Sequence, residues 1–288
     1  MRYRSGGNNV GHHGHVGGWL SLGRVRRFVG LCCLVFIVTG CATLPKRAPL
    51  SDSDAVDVRK KFKVMLNDQR QCPASFDSDV VVTINNLVWS GTISGYLKAM
   101  APAFIRFEGI NPLGLTEAIL AVDGENFTYV SVRDQQAYVG PLNADLLNRY
   151  APEGLATAMS YYWLLGRIPP GALGIGEVGR DQEGLGYWLD LRYVEGGNRS
   201  MILYSPEQQL IKRHLVLNGN GGIAVDLSYD YQGSEKAADC QLPVKIIIQG
   251  RGSGSLTLGF TKRYPTPSLD PSPFSVTPPS DYKRTVVQ

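Results

Sequence analysis

Apolar residues recur at every second position in most segments between residues 79 and 264. Residues 225–231, for example, read Val-Asp-Leu-Ser-Tyr-Asp-Tyr. Because successive side chains of a β-strand point to opposite faces, this period predicts strands with one buried face and one face in water. The chain must therefore fold around a large antiparallel sheet.

About ten or eleven segments carry this pattern, and turn-forming Asn, Pro and Gly residues separate them. The predicted strands are residues 79–89, 91–100, 103–110, 116–124, 127–140, 187–194, 201–205, 210–219, 224–231, 243–250 and 255–264. Between the fifth and sixth strands, Gly174 to Gly179 match G-x-G-x-x-G. A dinucleotide site needs a strand before this motif and a helix after it, so we interpret it as a loop.

Two stretches have helical periodicity instead. Val58, Phe62, Met65 and Leu66 lie on one face of a predicted helix over residues 53–70. A second helical region covers residues 143–171 and ends at a double proline. A long, twisted sheet curls, and helices can fill its apolar side. We therefore predict an α+β fold, an open β-half-barrel with helices in an apolar cavity.

The N-terminus has the pattern of an exported protein. An arginine cluster at residues 24–27 precedes a short apolar run that ends Val-Thr-Gly-Cys41. This ending resembles a bacterial lipobox, in which the cysteine is lipidated and becomes the new N-terminus; an ordinary signal peptide with a chance cysteine is the alternative. The resulting segments are a signal peptide over residues 1–40, a lipidated tether over 41–54, a folded domain over 55–264 and a disordered Pro-rich tail over 265–288.

Removal of the leader changes the charge and the cysteine count. The whole chain has 29 basic and 25 acidic residues, but residues 1–40 hold five arginines and no acid, which leaves a net charge of −1. Nucleic acid is therefore not an expected partner. Besides Cys41, only Cys72 and Cys240 remain. Because the periplasm is oxidising, a disulfide between them is expected, with two buried free thiols as the alternative.

Residue types for catalysis are scarce in the mature chain. His214 is its only histidine, and no cysteine is left for a metal cluster, so we expect no metal and no cofactor. A Ser-His-Asp site could use only His214, which we expect to be a satisfied or solvated histidine on the exposed side of a strand. The sequence indicates a binding protein and not an enzyme.

One predicted turn holds a residue that does not suit it. Asn111, Pro112 and Gly114 are typical turn residues, whereas Leu113 is apolar. Either Leu113 folds back onto the core or its partner is not water.

The lipobox, the amphipathic helix, the Asn111-Pro112-Leu113-Gly114 turn and the segment "YYWLLGRIPP" occur in the order found in LolB, and residues 55–262 resemble that family. Pro169 lies one residue later than in the family pattern. The resemblance implies an outer-membrane lipoprotein receptor that accepts acyl chains from a LolA-like periplasmic carrier. It also implies that Pro112, Leu113 and Gly114 form a loop that enters the bilayer.

From the same resemblance we expect Tyr162, Trp163, Tyr187 and Leu189 to line the acyl cavity. The protein is expected to be a monomer, anchored in the outer membrane and facing the periplasm. The alternative is a LolB-like lipid-anchored binding or scaffold protein of another envelope complex, with a cavity for a different amphiphile.

Overall fold

The computed structural model describes residues 44–85, 90–142, 160–194, 199–232, 240–250, 254–264 and 269–287. In these ranges a single sheet of 15 strands accounts for most of the secondary structure. The strands are β1 Arg47–Pro49, β2 Ser75–Asn85, β3 Ser90–Met100, β4 Phe104–Ile110, β5 Thr116–Asp123, β6 Asn126–Ser131, β7 Gln136–Pro141, β8 Leu173–Asp181, β9 Tyr187–Tyr193, β10 Arg199–Ser205, β11 Leu210–Leu217, β12 Ile223–Asp230, β13 Lys245–Gly250, β14 Ser255–Tyr264 and β15 Lys283–Val286.

The sheet consists of two antiparallel meanders that share one seam. The first meander runs from β2 to β7 and the second from β8 to β14. They join where β14 pairs antiparallel with β2, with Leu258 opposite Val82. The outer edges are β1, which pairs with β8, and β15, which pairs parallel with β7.

Two segments differ from the sequence prediction inside the sheet. The predicted strand 127–140 is a hairpin of β6 and β7, because a turn follows Ser131, whose hydroxyl donates to Asp134 over 2.7 Å. Residues 174–179, interpreted as a loop, belong to strand β8. Its glycine-rich backbone is paired with β9, with a register shift between Ile175 and Val178.

The C-terminal segment is also ordered, and the prediction of a disordered tail over 265–288 was wrong for residues 269–287. A 3-10 helix spans Ser272–Phe274, and Phe274 is buried against Phe104 at 5.6 Å between ring centroids. Val287 is buried with Val122 and Phe127. The burial of Phe274 and Val287 and the pairing of β15 with β7 offset the conformational entropy that is lost when this segment is ordered.

Helix α1, Asp52–Gln69, covers part of the inner face of the sheet. It begins at Ser51, whose hydroxyl accepts from the Asp54 N–H at 3.2 Å. The predicted apolar face is confirmed, since Val58, Phe62 and Met65 are buried. Strand β1 and this cap lie within the predicted tether, so the ordered fold begins before residue 55.

Helix α2, Ser160–Leu164, is short, and the stretch 143–159 predicted to precede it lies outside the described residues. Gly166, with φ +61°, ends it before the double proline is reached. The Gly166 N–H donates to the Trp163 carbonyl and the Arg167 N–H to the Tyr162 carbonyl. This pair of bonds is a Schellman motif, which satisfies the last carbonyls of the helix.

Both faces of the second meander carry buried apolar residues, although alternation predicted one wet face. Leu189 and Leu191 belong to the main core under α1. Trp188 has the opposite orientation and packs in a second cluster with Met201 and Leu215. Its indole N–H donates to Asp181 over 2.7 Å, so the buried nitrogen is satisfied.

Candidate functional site

A large apolar cavity lies on the inner side of the first meander. Its volume is about 980 Å³, at the upper end of the roughly 300–1,000 Å³ typical of small-molecule sites. Strands β2 to β6 supply most of its wall, β13 and β14 extend it, and α2 contributes one side. Its apolar lining consists of Val80, Val82, Ile84, Ile93, Leu97, Ala103, Ile105, Phe107, Ile110, Ala118, Leu120, Val122, Phe127, Leu142, Trp163, Leu164, Ile248, Leu256 and Leu258.

Strand periodicity explains why so many apolar side chains face one space. Val80, Val82 and Ile84 alternate along β2, and Ala118, Leu120 and Val122 alternate along β5. Polar lining side chains are few: Thr92, Ser94, Asn111, Glu117 and Tyr129. The cavity therefore suits an apolar ligand and offers few groups that could orient a polar one.

The turn between β4 and β5 forms part of the cavity rim. Asn111, Pro112 and Gly114 line the cavity. The Asn111 side-chain oxygen accepts from the N–H groups of Leu113 at 2.9 Å and Leu115 at 3.0 Å. Gly114 has φ +80°, a conformation that glycine adopts without strain. The turn is thus held in one shape by its own backbone and Asn111.

Two leucines project from this turn into solvent. Leu113 is 84% exposed and Leu115 is 62% exposed. Their neighbours Pro112 and Gly114 are exposed too. The possibility that Leu113 folds back onto the core is therefore wrong. Sequence reasoning missed Leu115. Its position directly after Gly114, before the alternating pattern of β5 begins, was the available signal.

Helix α2 separates this cavity from a smaller one. Trp163 is buried and lines the large cavity, and Leu164 lies beside it. Tyr162 lines the smaller cavity of about 440 Å³ instead. Adjacent helical residues point about 100° apart, so Trp163 and Tyr162 face different sides of the same helix.

The predictions for Tyr187 and Leu189 were wrong: neither residue lines the large cavity. Leu189 is fully buried in the main core, which also contains Phe62 of α1, and Tyr187 packs against the same core. Both lie on β9, in the meander that α1 covers. Alternation correctly placed their side chains on the inner face, but it could not indicate which part of that face a helix fills.

His214 is buried, so the prediction that it lies on the exposed side of a strand was wrong. It is 2% exposed and packs edge-on against Trp163, with 6.1 Å between ring centroids. Burial lowers the pKa of His214 to about 4, because the charged imidazolium would lose its hydration. Neutral His214 thus packs against Trp163, whose side chain lines the cavity.

Cys72 and Cys240 lie within bonding distance, with Sγ–Sγ 2.15 Å and Cα–Cα 5.5 Å. Cys72 follows the end of α1, and Cys240 precedes β13. Cys41, the predicted lipidation site, lies outside the described residues.

Within the described ranges, no three His, Cys, Asp or Glu side chains are grouped closely enough to hold a metal ion. No helix in those ranges is both long enough and apolar enough to cross a membrane.

The sequence matches no protein-family profile and no curated protein. The fold, however, is similar to that of a LolA superfamily protein from Nitrosomonas europaea, with a TM-score of 0.50 and 10% identity over 74% of this chain and 97% of that chain. A DUF1329 family protein from Desulfovibrio piger has the same score and identity over 76% and 97%. A domain described as an outer membrane lipoprotein-sorting protein from Vibrio parahaemolyticus also has a TM-score of 0.50 and 10% identity, over 78% and 97%.

At such low identity the likeness establishes the fold alone. It confirms the predicted α+β class with a large curved antiparallel sheet that does not close. The chain therefore has a half-barrel fold similar to that of the LolA superfamily protein from Nitrosomonas europaea.

Proposed function

We propose that this protein is an outer-membrane lipoprotein receptor and insertion factor. It would accept the acyl chains of lipoproteins from a LolA-like periplasmic carrier into the large cavity and deliver them to the membrane. The observation that carries the proposal is one juxtaposition: Pro112 and Gly114 line the rim of the apolar cavity, and Leu113 between them is 84% exposed.

The cavity supplies the energy for holding an acyl chain. Each methylene group that leaves water contributes about 0.8 kcal/mol. The wall is mainly apolar, so few polar groups of the protein would lose hydration when a chain enters. This role requires binding and release, and it involves no catalytic residue.

The rim leucines supply a contact with the bilayer. Burial of a leucine side chain is worth about 1.5–3 kcal/mol. Leu113 and Leu115 together are sufficient for reversible docking but not for permanent anchoring. In this proposal Cys41 carries the lipid that anchors the protein, and Leu113 and Leu115 bring the cavity mouth to the membrane surface where a chain can leave.

The test is a liposome transfer assay with Leu113→Glu. A carboxylate that enters hydrocarbon loses its hydration at a cost of several kcal/mol, so delivery should fall at least tenfold. Acceptance of a lipoprotein from the carrier should be retained, because it depends on the cavity. The melting temperature should not change, since Leu113 contributes little to the core.

Leu185→Glu is the matched control, because Leu185 is another exposed leucine, 54% accessible, in the turn between β8 and β9. The Leu185→Glu variant should deliver lipoproteins to liposomes as well as the unmodified protein does. Normal transfer by Leu113→Glu would argue against the membrane role of the turn.

Depletion of the protein in cells provides a second test. Lipoproteins that accumulate on their periplasmic carrier would support the receptor. Normal lipoprotein sorting with loss of an exported polymer or appendage would instead favour a lipid-anchored binding or scaffold protein for another amphiphile.

A further inference from the structure

The smaller cavity contains a buried arginine, Arg167, that pairs with no carboxylate of the described residues. Arg167 is 7% exposed, and no Asp or Glu of the described residues forms an ion pair with it. One nitrogen, Nη1, donates to the Pro73 carbonyl at 3.2 Å. A guanidinium has five N–H donors, so this carbonyl satisfies only a part of them. A buried charge is normally paired, because its desolvation is costly.

The other residues of this cavity add positive charge and no negative charge. Lys63 and Arg70 line it with Arg167, and no described lining residue is acidic. Lys63 and Arg70 are exposed on α1 and at its C-terminal end, so they lie toward solvent while Arg167 is buried. Together they form a graded positive entrance, which attracts an anion and concentrates it at the arginine.

Tyr161 is a second polar residue of this cavity. The Tyr161 hydroxyl is buried and forms no hydrogen bond within the described part of the chain. Tyr161 and Arg167 lie close enough to influence each other: the Arg167 charge favours tyrosinate, although burial is the larger effect and raises the pKa of Tyr161 to about 12. Tyr161 therefore remains protonated at neutral pH and can donate to an anion.

The backbone holds Arg167 in this position. Gly166, in its left-handed conformation, precedes it, and a Cβ there would lie 2.3 Å from the Tyr231 hydroxyl oxygen. On the other side, the Ile168 N–H donates to the Gln69 side chain of α1 at 3.4 Å. These contacts hold the backbone on both sides of Arg167, and the Pro73 carbonyl holds its guanidinium.

We propose that this cavity is a binding site for a phosphate-type oxyanion, with Arg167 and the Tyr161 hydroxyl as its inner donors and Lys63 and Arg70 at its entrance. A phosphate group carries up to two charges and three acceptor oxygens, which suits several cationic donors better than a carboxylate. Leu66, Ile168 and Leu173 provide an apolar wall beside the donors. The phosphate group can therefore belong to a lipid headgroup or be free in solution.

The site is separate from the acyl cavity, and its existence does not depend on the proposed transfer role. Calorimetric titration of the purified mature protein tests it with three probes. These are inorganic phosphate, dihexanoyl phosphatidic acid below its micelle concentration, and dihexanoylglycerol, which has the same acyl chains without phosphate.

The unmodified protein should bind dihexanoyl phosphatidic acid at least tenfold more tightly than dihexanoylglycerol, and binding should weaken with added salt. Arg167→Gln should reduce the affinity for the phosphate probes at least tenfold. Arg180→Gln, a change at an exposed arginine of β8, should not alter it. Similar affinities for phosphatidic acid and inorganic phosphate would identify free phosphate as the ligand; much tighter lipid binding would identify a headgroup.

The double variant Lys63→Gln/Arg70→Gln covers the case in which Arg167→Gln does not fold, because both side chains are exposed. It should weaken phosphate binding several-fold with an unchanged melting temperature. The proposal would be overturned if the unmodified protein bound neither phosphate probe. It would also be overturned if a folded Arg167→Gln protein bound the phosphate probes as tightly as the unmodified protein does.

Discussion

The two meanders belong to one sheet, but the inner face of one is covered by a helix and the inner face of the other encloses a cavity. In the second meander α1 covers the apolar face, and Phe62 packs edge-on against Tyr204 at 5.3 Å between ring centroids. In the first meander the corresponding apolar face encloses about 980 Å³. We refer to these as the filled half, the inner face of β8–β12, and the open half, the inner face of β2–β6.

The difference shows that the same strand pattern can build a core or a binding site. A buried leucine in the filled half contacts protein on all sides, and its dispersion and transfer energies stabilise the fold. A half-buried leucine of the cavity wall, such as Leu120, has the cavity on one side, so part of its burial energy is left for a ligand. Four experiments test this distinction.

The largest effect on the free energy of unfolding is expected from loss of the disulfide between Cys72, just after α1, and Cys240. Cys72 and Cys240 are 168 residues apart, so their disulfide should stabilise the protein by about 5 kcal/mol through loop closure. Cys72→Ser/Cys240→Ser should lower the free energy of unfolding in urea by that amount. Alkylation of the unfolded protein without reductant checks the premise: two reactive thiols would show that the bridge is absent.

A matched pair of leucine substitutions compares the halves directly. Leu191→Ala, at a residue that is 0% exposed in the filled half, should cost about 3–4 kcal/mol. Leu120→Ala, in the cavity wall of the open half, should cost about 1 kcal/mol, because this half-buried side chain leaves no enclosed new void. Chemical denaturation measures the free energy of unfolding of both variants. Equal losses of stability would contradict the distinction between the filled half and the open half.

Acid should destabilise the filled half through His214, which lies on β11 and packs against Trp163. Its folded pKa of about 4 lies below the usual 6.5, so the unfolded chain binds more protons between these pH values. Stability from neutral His214 is complete above pH 6.5 and is lost as the pH falls toward 4, by about 3 kcal/mol. Unfolding free energies measured across this range should decline less in His214→Gln, and an identical decline would assign the acid sensitivity elsewhere.

The smallest effect concerns the cap of α1. Ser51→Ala removes the acceptor for the Asp54 N–H and should cost about 1 kcal/mol. Lys60→Ala, an exposed change within the same helix, should be close to neutral. No residue of α1 lines the large cavity, so neither variant should alter the binding of an acyl probe there, which fluorescence titration can measure.

Local chemistry made the strands, α1 and the turn around Asn111 predictable. Alternation with period two depends only on backbone geometry, and the Phe62 face of α1 depends only on helical spacing. Leu113 was identifiable because an apolar residue in a turn has no local reason to be there.

Tertiary structure alone decided which inner-facing residues form the core and which form the cavity. Leu189 and Leu120 both lie in alternating segments, yet Leu189 is fully buried in the core, whereas Leu120 lines the large cavity. The burial of His214, the pairing of β15 with β7 and the convergence of Arg167 with Lys63 likewise depend on contacts between residues far apart in the chain. Periodicity specifies the face on which a side chain lies, whereas its neighbours across that face are determined only when the sheet curls and the helices dock.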